Sequence, residues 1–382
     1  MAYLIMFASS IGLMKLKYKQ KYRIRFLTVI ALIIPCIMAG IRANEIGSDT
    51  AGYPLRMFEL ACKNGYIEYL NSSFLHGWKQ EVVIDMGIGY STFVFLVTLF
   101  FKDFSFLLFF TELFIVLCIY KASVLLLEKN DYWFAFLVFY LLFYNVTLNM
   151  ERQWMAMSVC LLGFAYYKKN RMKAATICMV IAISVHPTAI CALLIFVIHY
   201  ILGIRKEKSK QIEDQNVKNV IGRNHNKIIF TFIIFFVGII LLRNMQVVRW
   251  IIYTLGLGRF ANYFEGQVYF SVGRFILELP PIAFLICTWS KNRSSEKVFI
   301  LGYLLINLLF SQINTMNVLA WRISAYISCF SVLFFPMIVG NYKCPKTKKI
   351  AVFYFGIYGI FYWLYYFMYL NSHQTLPYYV RF

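Results

Sequence analysis

The stretch "IAVFYFGIYGIFYWLYYFMYL", at residues 350–370, contains no charged side chain and decides which class of protein this is. Roughly 20 consecutive apolar residues allow an α-helix to cross the hydrocarbon core of a bilayer. The basic segment "KCPKTKK" at 343–349 comes directly before it. Because Lys and Arg concentrate in the cytoplasmic loops of membrane proteins, the two segments predict a transmembrane helix that begins on the cytoplasmic side.

Apolar runs of this kind recur along the whole chain. Hydrophobic residues make up 61% of it and charged residues only 14%, whereas soluble proteins contain roughly 25% charged residues. The runs are continuous, unlike the alternating strands of a membrane β-barrel. We therefore predict an all-α polytopic integral membrane protein with roughly 11–13 transmembrane or partial-span helices. The apolar runs lie at 2–14, 24–41, 87–101, 104–127, 131–148, 152–167, 174–185, 187–203, 228–244, 274–290, 298–316, 322–341 and 350–370.

The net charge of +21 fits the same topology. No DNA- or RNA-binding motif is visible, and the positive-inside rule accounts for the Lys and Arg residues, so the expected surroundings are a lipid bilayer and not a nucleic acid. The nine cysteines form neither a CxxC pair nor a Cys/His cluster, so we expect neither a metal nor a cofactor. The basic loops lie at 15–25, 168–173, 204–227, 291–297 and 343–349.

The charge pattern also predicts the topology of the chain. We interpret residues 1–382 as one transmembrane domain with a basic cytoplasmic loop at 204–227 and two longer outer loops at 42–86 and 245–273. The run 174–203 is too long for one crossing and is divided near His186 by the proline that follows. Five apolar runs lie between the first two basic loops, where an even number is required. Either 87–101 or 104–127 is therefore not a full crossing, and the sequence does not distinguish between them.

Six arginines map to the outer side, where the positive-inside rule does not predict them. A single arginine at a helix end is commonly an anchor that reaches the lipid headgroups. A set of six such arginines suggests a diphosphate ligand instead, because the planar guanidinium matches phosphate oxygens. The six are Arg42, Arg152, Arg249, Arg259, Arg274 and Arg322.

His186 has two interpretations. At a proline break, a polar side chain can satisfy backbone carbonyls that the helix no longer uses. At the mouth of a cavity, the imidazole can instead act as a base or bind phosphate.

Five short motifs follow one another along the chain. They are R-x3-I-G-S-D-T-x2-Y at 42–53, D-x-G-I-G-Y at 85–90, R-Q-x2-A at 152–156, V-H-P-T-A at 185–189 and R-x3-Y at 322–326. Their order resembles that of the EpsG family of Wzy-type polysaccharide polymerases, which are grouped with the GT-C-like membrane glycosyltransferases. The resemblance covers roughly residues 25–380.

The resemblance implies a set of site residues. Glu151 stands where relatives tend to have an apolar residue, and Asp85 stands where they usually have Glu. Arg249, Arg259 and Arg274 are not part of the resemblance and rest on topology and charge alone. The residues that match the family pattern are Arg42, Gly47, Asp49, Tyr53, Asp85, Arg152, Gln153, Ala156, His186 and Arg322.

The reaction implied by the resemblance is the transfer of a growing glycan from undecaprenyl diphosphate onto a new lipid-linked repeat unit. We expect it at the outer face of the bacterial cytoplasmic membrane and without a metal. Arg152 would stabilise the leaving diphosphate, and His186 or Asp49 would be the base. The other arginines, Tyr53, Asp85 and Gln153 would bind substrate. A chain-length co-polymerase and a flippase are the expected protein partners.

Three alternatives involve the same class of membrane protein. An O-antigen ligase-like transferase would use the same groups on another acceptor. A non-enzymatic flippase for lipid-linked oligosaccharides predicts short outer loops, which the 42–86 loop disfavours. A membrane O-acyltransferase needs a histidine that a cytosolic acyl donor can reach, whereas His186 maps to the outer side.

Overall fold

The computed structural model describes residues 1–16, 24–127, 131–202, 217–254, 256, 258, 261, 264–292, 296–316 and 318–381. It is 78% helical with almost no strands, which confirms the prediction of an all-α polytopic membrane protein. Helices dominate because they satisfy every backbone polar group within one segment, as a bilayer requires.

The described helices keep close to the predicted apolar runs. They are α1 Ala2–Leu16, α2 Ile24–Gly40, α3 Tyr53–Lys63, α4 Tyr66–Asn71, α5 Ile88–Phe100, α6 Phe104–Leu126, α7 Tyr132–Leu142, α8 Tyr144–Thr147, α9 Glu151–Lys168, α10 Met172–Val185, α11 Leu193–Leu202, α12 Val217–Arg243, α13 Met245–Thr254, α14 Val272–Cys287, α15 Lys297–Ile313, α16 Val318–Ser328, α17 Ser331–Gly340 and α18 Pro345–Trp363. Short 3₁₀ helices at Val83–Met86 and Pro187–Ala192 precede α5 and α11.

The predicted outer loop 42–86 contains local structure of its own. Besides α3 and α4 it forms a hairpin of two antiparallel strands, β1 Ser73–His76 and β2 Lys79–Val82, in which Ser73 is opposite Val82. The other predicted outer loop, 245–273, contains α13. Of the basic loop 204–227, residues 204–216 lie outside the described residues and the remainder begins α12.

Three stretches among the described residues are long and apolar enough to cross a membrane: Phe104–Leu126, Ala320–Gly340 and Pro345–Tyr369. A fourth is added if Ile228–Arg243 and Met245–Thr254, which are bent by 96° from each other, count as one span. The remaining apolar helices are shorter than a full crossing.

The contacts divide the chain, treated above as one transmembrane domain, into two compact units. Unit 1 comprises Met1–Ile190 and Val352–Phe382, and unit 2 comprises Cys191–Ala351.

In unit 1, α2 is antiparallel to α6 and α9 is antiparallel to α10, so helix ends gather at two opposite ends of the unit. The last residue of α2 contacts the first turn of α6, since a β-carbon on Gly40 would lie 3.1 Å from Ser105 O. The helix pair α9 and α10 forms a tight hairpin around Asn170. The end of unit 1 where α2 and α10 finish and α6 and α9 begin is called the motif end below. The opposite end carries Lys15, whose ammonium lies 3.8 Å from the centroid of the Trp133 ring, and the 168–173 loop.

Helix α5 is the apolar run that does not cross unit 1. It runs beside α3 in the same direction, with the Tyr53 and Tyr90 rings 6.2 Å apart and Thr98 Oγ1 3.5 Å from Ala61 O. Its 13 residues are about 20 Å long at 1.5 Å per residue, against roughly 30 Å of hydrocarbon. Because α2 ends and α6 begins at the motif end, the whole stretch 41–103 starts and finishes there.

In unit 2, α15 is the central helix and packs against α11, α12, α14 and α16. Its C-terminal end is tied to the segment before α14, because Ser271 N donates to Gln312 Oε1 at 2.9 Å and Tyr269 N donates to Thr315 Oγ1 at 3.0 Å. Helix α16 runs back along α15, since Tyr303 Oη donates to Ser328 O at 3.2 Å.

Candidate functional site

Arg42 and Glu151 form a buried ion pair at the motif end of unit 1. The two side chains are only 1% and 2% exposed. The guanidinium also donates to Leu148 O at 2.9 Å and to Ala39 O at 3.3 Å. The first motif is thereby fastened to the start of α9, and Glu151 acquires a role that the sequence left open. It neutralises an arginine that is out of contact with water.

The same contacts fix the turn of the first motif. Thr50 Oγ1 donates to Leu148 O at 3.0 Å and also lies 3.5 Å from Glu151 Oε1. Gly47 has a φ of +89°, and a β-carbon there would lie 2.5 Å from Leu148 O. Only glycine tolerates both this backbone conformation and this close approach. The "IGSDT" turn is therefore shaped by its packing against the 148–151 segment.

Arg152 occupies a different environment from Arg42. It is half-buried, its guanidinium donates to Met86 O, and the guanidinium carbon lies 5.2 Å from the centroid of the Tyr53 ring. Its Nε and the nearby buried Tyr90 hydroxyl have no hydrogen-bond partner among the described residues. No described carboxylate pairs with Arg152, so its charge is balanced only by a carbonyl dipole and an aromatic face.

The second and fourth motifs are in direct contact. A β-carbon on Gly87, which has a φ of +98°, would lie 2.6 Å from Val185 O. A β-carbon on Gly89 would lie 3.0 Å from the Val185 nitrogen and 2.5 Å from Ser184 Oγ. The two glycines of D-x-G-I-G-Y therefore let the start of α5 lie directly on the end of α10, one residue before His186.

His186 is buried, with 4% of its surface exposed. It caps α10 in an extended conformation, and its Nδ1 lies 2.5 Å from Thr188 Oγ1. Asp85, in contrast, is exposed, and Asp49 is half-buried. Gln153 is 3% exposed and faces the interior of unit 1.

Asn149 links the first motif to the C-terminal segment. Its Oδ1 accepts from the Asp49 backbone N–H at 2.8 Å and lies 3.2 Å from Ser48 Oγ. Its Nδ2 lies 3.0 Å from His373 Nδ1. Residues 371–381, called the C-terminal strap below, are also bound by their backbone, as Gly47 N donates to Gln374 O at 3.1 Å.

The arginines of unit 2 are described by themselves. Arg249 pairs with Glu265 at 3.3 Å, and both side chains are substantially exposed. Arg274 lies in the first turn of α14 and Arg322 in the first half of α16, so both are near the C-terminal end of α15. Arg259 lies outside the described residues.

Several buried polar groups lie outside the residues that the sequence motifs mark. Glu112, in the middle of α6, accepts from Thr147 Oγ1 at 2.8 Å. In unit 2, Asn307 Nδ2 donates to Glu278 Oε2 at 2.6 Å. Asn149 and His373 belong to none of the motif positions carried over above. A search for acidic residues inside apolar runs would have found Glu112 and Glu278, because such residues are rare in membrane helices.

Among the described residues, no group of three or more His, Cys, Asp and Glu side chains is arranged to hold a metal ion. In comparisons with known proteins, the family model described as the EpsG family matches residues 25–380. No curated protein and no solved structure matches the chain significantly.

Proposed function

We propose, from the premise that the chain belongs to the EpsG family of Wzy-like polysaccharide polymerases, that it lengthens a glycan carried on undecaprenyl diphosphate. The growing glycan is transferred from its lipid onto a new lipid-linked repeat unit at the outer face of the cytoplasmic membrane. The motif end of unit 1 is the proposed site of transfer.

The observation that carries this proposal is the contrast between Arg42 and Arg152. Arg42 is buried and neutralised by Glu151, so its role is to hold the first motif in place. Arg152 is half-buried, and no described carboxylate pairs with it. A guanidinium that lacks a counter-charge in a partly dry site favours an anion. The leaving diphosphate of a lipid-linked donor supplies that anion.

The start of α9 adds to the preference for an anion. No side chain caps this helix, because its N-cap residue is Met150. The first N–H groups of a helix attract negative charge through the helix dipole. Arg152 lies in that first turn, so both contributions act at the same place.

The transfer step requires a base and a stabilised leaving group. The base removes the proton from the acceptor hydroxyl, and the hydroxyl oxygen forms a bond to the anomeric carbon of the donor sugar. The bond between that carbon and the diphosphate oxygen breaks, and the diphosphate leaves with the electron pair. Arg152 stabilises the charge that develops on the diphosphate.

Asp49 is the better candidate for the base than His186. The Asp49 carboxylate is half-buried on a turn that Asn149 and Gly47 hold beside the start of α9. His186 is buried and its Nδ1 is in contact with Thr188. An acceptor hydroxyl must reach the base to within hydrogen-bond distance, which favours the more accessible group.

Substrate recognition is the proposed task of the remaining candidates. Tyr53, which is 6% exposed and has its ring beside Arg152, and Asp85, which is exposed next to Met86, are the proposed contacts to a sugar. Gln153 is a further proposed substrate-binding residue of unit 1. Arg249, Arg259, Arg274 and Arg322 are likewise proposed to bind substrate. A flippase and a chain-length co-polymerase are the proposed protein partners.

The test is polymerisation by the purified protein in nanodiscs, supplied with lipid-linked repeat units from its host. Wild type is expected to give a ladder of lengthening products. Arg152→Lys keeps the charge but loses the planar fork, so we expect a loss of about 100-fold or more in rate. The matched control is Arg171→Lys, since Arg171 is exposed at the opposite end of unit 1.

Two outcomes would contradict the proposal. Equal activity of Arg152→Lys and Arg171→Lys would show that Arg152 does not bind the diphosphate and serves as an anchor at the lipid headgroups. Transfer to an added acceptor without any ladder of repeat units would favour the ligase-like alternative.

A further inference from the structure

The C-terminal strap is fastened to the motif end of unit 1 along its whole length. Thr375 O accepts from Tyr3 Oη at 2.8 Å, and Thr375 Oγ1 accepts from Asn145 Nδ2 at 2.9 Å. Beyond it, Ala43 N donates to Tyr379 O at 3.0 Å and Arg381 N donates to Ile41 O at 2.8 Å. The strap therefore runs beside the first motif and forms hydrogen bonds with its backbone between Ile41 and Gly47.

His373 adopts an unusual backbone conformation within this strap. Its φ is +72°, and those of Asn371 and Gln374 are +46° and +52°. Such left-handed conformations cost free energy in residues other than glycine and persist only where the surroundings enforce them. The ring of His373 packs 6.1 Å from Tyr366 and 6.3 Å from Phe367. The turn thus directs an imidazole inward, towards Asn149.

The hydrogen bonds of Asn149 determine the orientation of both side chains. A backbone N–H can only donate, so the Asn149 atom that faces Asp49 N must be the oxygen Oδ1. The amide nitrogen Nδ2 then faces His373 and must donate, so His373 Nδ1 accepts and the ring hydrogen is on Nε2. Burial lowers the pKa of His373 to about 4, which keeps the ring in this neutral form.

We propose that His373 is a positioning residue that acts through Asn149 to hold the Ser48–Asp49 turn in its transfer geometry. The inference rests on the proposed function, because it assigns a support to the carboxylate proposed as the base. The chain of contacts is continuous: His373 Nδ1 accepts from Asn149 Nδ2, and Asn149 Oδ1 accepts from Asp49 N and contacts Ser48 Oγ. Since an amide accepts and donates at opposite ends of one planar group, fixing Nδ2 fixes Oδ1.

Three variants separate this role from a general structural one. His373→Leu replaces the ring by an apolar side chain of similar size. The leucine can still pack against Tyr366 and Phe367 but cannot accept a hydrogen bond from Asn149. His373→Asn places an oxygen close to the position of Nδ1, and asparagine tolerates a left-handed backbone. Gln374→Ala is the matched control, because Gln374 is exposed and shares the left-handed backbone. His373→Ala replaces His373→Leu if the leucine variant does not accumulate.

The first measurement does not depend on the reaction. Hydrogen–deuterium exchange of the full-length protein in nanodiscs reports on the Asp49 amide, which donates to Asn149. His373→Leu is expected to speed exchange at the 47–50 turn about tenfold or more, whereas His373→Asn and Gln374→Ala leave it near wild type. Unchanged exchange in His373→Leu would overturn the proposal.

The second measurement uses the polymerisation assay. A displaced base lowers kcat more than it raises KM, and small displacements cost up to about 100-fold. We expect a loss of kcat in His373→Leu, its recovery in His373→Asn, and no further loss when His373→Leu is added to Asn149→Ala. Additive losses in the double variant would overturn the proposal. If wild type makes no polymer, the proposed function fails, while the exchange experiment still decides the role of His373.

Discussion

Among single residues, Arg42 of the first motif and Arg152 of the third differ in burial and therefore in role. The sequence does not show this difference. Both Arg42 and Arg152 stand near helix ends, and each is the first residue of its motif. Glu151 lies directly before Arg152 in the chain, yet its carboxylate pairs with Arg42. The helix turns adjacent side chains about 100° apart, so neighbours in sequence face different surroundings.

The first prediction concerns the stability that depends on the Arg42–Glu151 pair. Glu151→Leu leaves the buried Arg42 charge uncompensated, which costs about 3–5 kcal/mol in comparable sites. Adding Arg42→Met removes that charge and is expected to recover much of the loss. Thermal unfolding in nanodiscs measures both effects.

The exposed pair Arg56–Glu59, whose atoms lie 3.2 Å apart, is the matched control. Glu59→Leu is expected to change the free energy of unfolding by less than about 1 kcal/mol, because water screens this pair. A similar cost for Glu59→Leu and Glu151→Leu would show that burial does not decide the strength of the pair.

The second prediction concerns the identity of the base. Asp49→Asn keeps the size and shape of the side chain but cannot take a proton, so we expect a loss of about 10²–10⁴-fold in kcat. His186→Gln keeps a polar group beside Thr188 and is expected to retain most of the activity. The polymerisation assay measures both, with protein abundance and thermal stability as controls.

The reverse result would change the assignment. An active Asp49→Asn variant together with inactive, folded His186→Gln and His186→Ala variants would move the base to His186. The Asn149–His373 contact would then have only a structural role, because it would no longer position the base.

At the scale of secondary-structure elements, glycines decide which helices can touch. The start of α5 lies on the end of α10 because neither Gly87 nor Gly89 carries a side chain. This contact brings the D-x-G-I-G-Y motif against V-H-P-T-A and places Met86 O where Arg152 can reach it. The two motifs therefore act as one structural feature, although about 100 residues separate them in the chain.

The third prediction tests this contact with alanine. Gly89→Ala would place a methyl group 3.0 Å from the backbone of Ser184, so we expect a loss of about 1–3 kcal/mol and of activity. Gly12→Ala is the control, because nothing lies within 4 Å of its β-carbon in the middle of α1. Alanine there should be neutral or stabilise by about 1 kcal/mol. Equal effects of the two substitutions in thermal unfolding would show that the α5–α10 contact is unimportant.

At the scale of the whole molecule, the short α5 removes an inconsistency in the topology. With α5 confined to the motif end, an even number of crossings separates the basic loops at 15–25 and 168–173. The motif end of unit 1 then lies opposite both loops. By the positive-inside rule, we expect that end to face outward.

The fourth prediction follows from this topology and is tested with single cysteines in a cysteine-free background. Asp85→Cys and Lys102→Cys flank α5 at exposed positions and should both react with a membrane-impermeant maleimide on intact cells. Lys169→Cys, exposed in the basic loop, should react only after the membrane is permeabilised. Labelling of Asp85→Cys and Lys102→Cys from opposite sides would make α5 a crossing and would refute the assignment.

Composition and local patterns were enough to predict the class of the protein, the position of most helices and the family. Long apolar runs admit only helices in a bilayer, and the run at 350–370 is sufficient to show this. The order of the five motifs was also visible, because each motif is a local pattern of glycine, charged and aromatic residues.

Which side chains meet could be seen only from the packing of the helices. Glu151 belongs to none of the five motifs, and its contact with Arg42 spans 109 positions in the chain. His373 lies 224 positions from Asn149, and nothing near it in sequence marks it as part of the motif end. Contacts of this kind depend on how helices pack and on where the chain returns. Local sequence patterns indicate whether a segment is buried but not which segment packs against it. These long-range contacts therefore could not be predicted from the sequence.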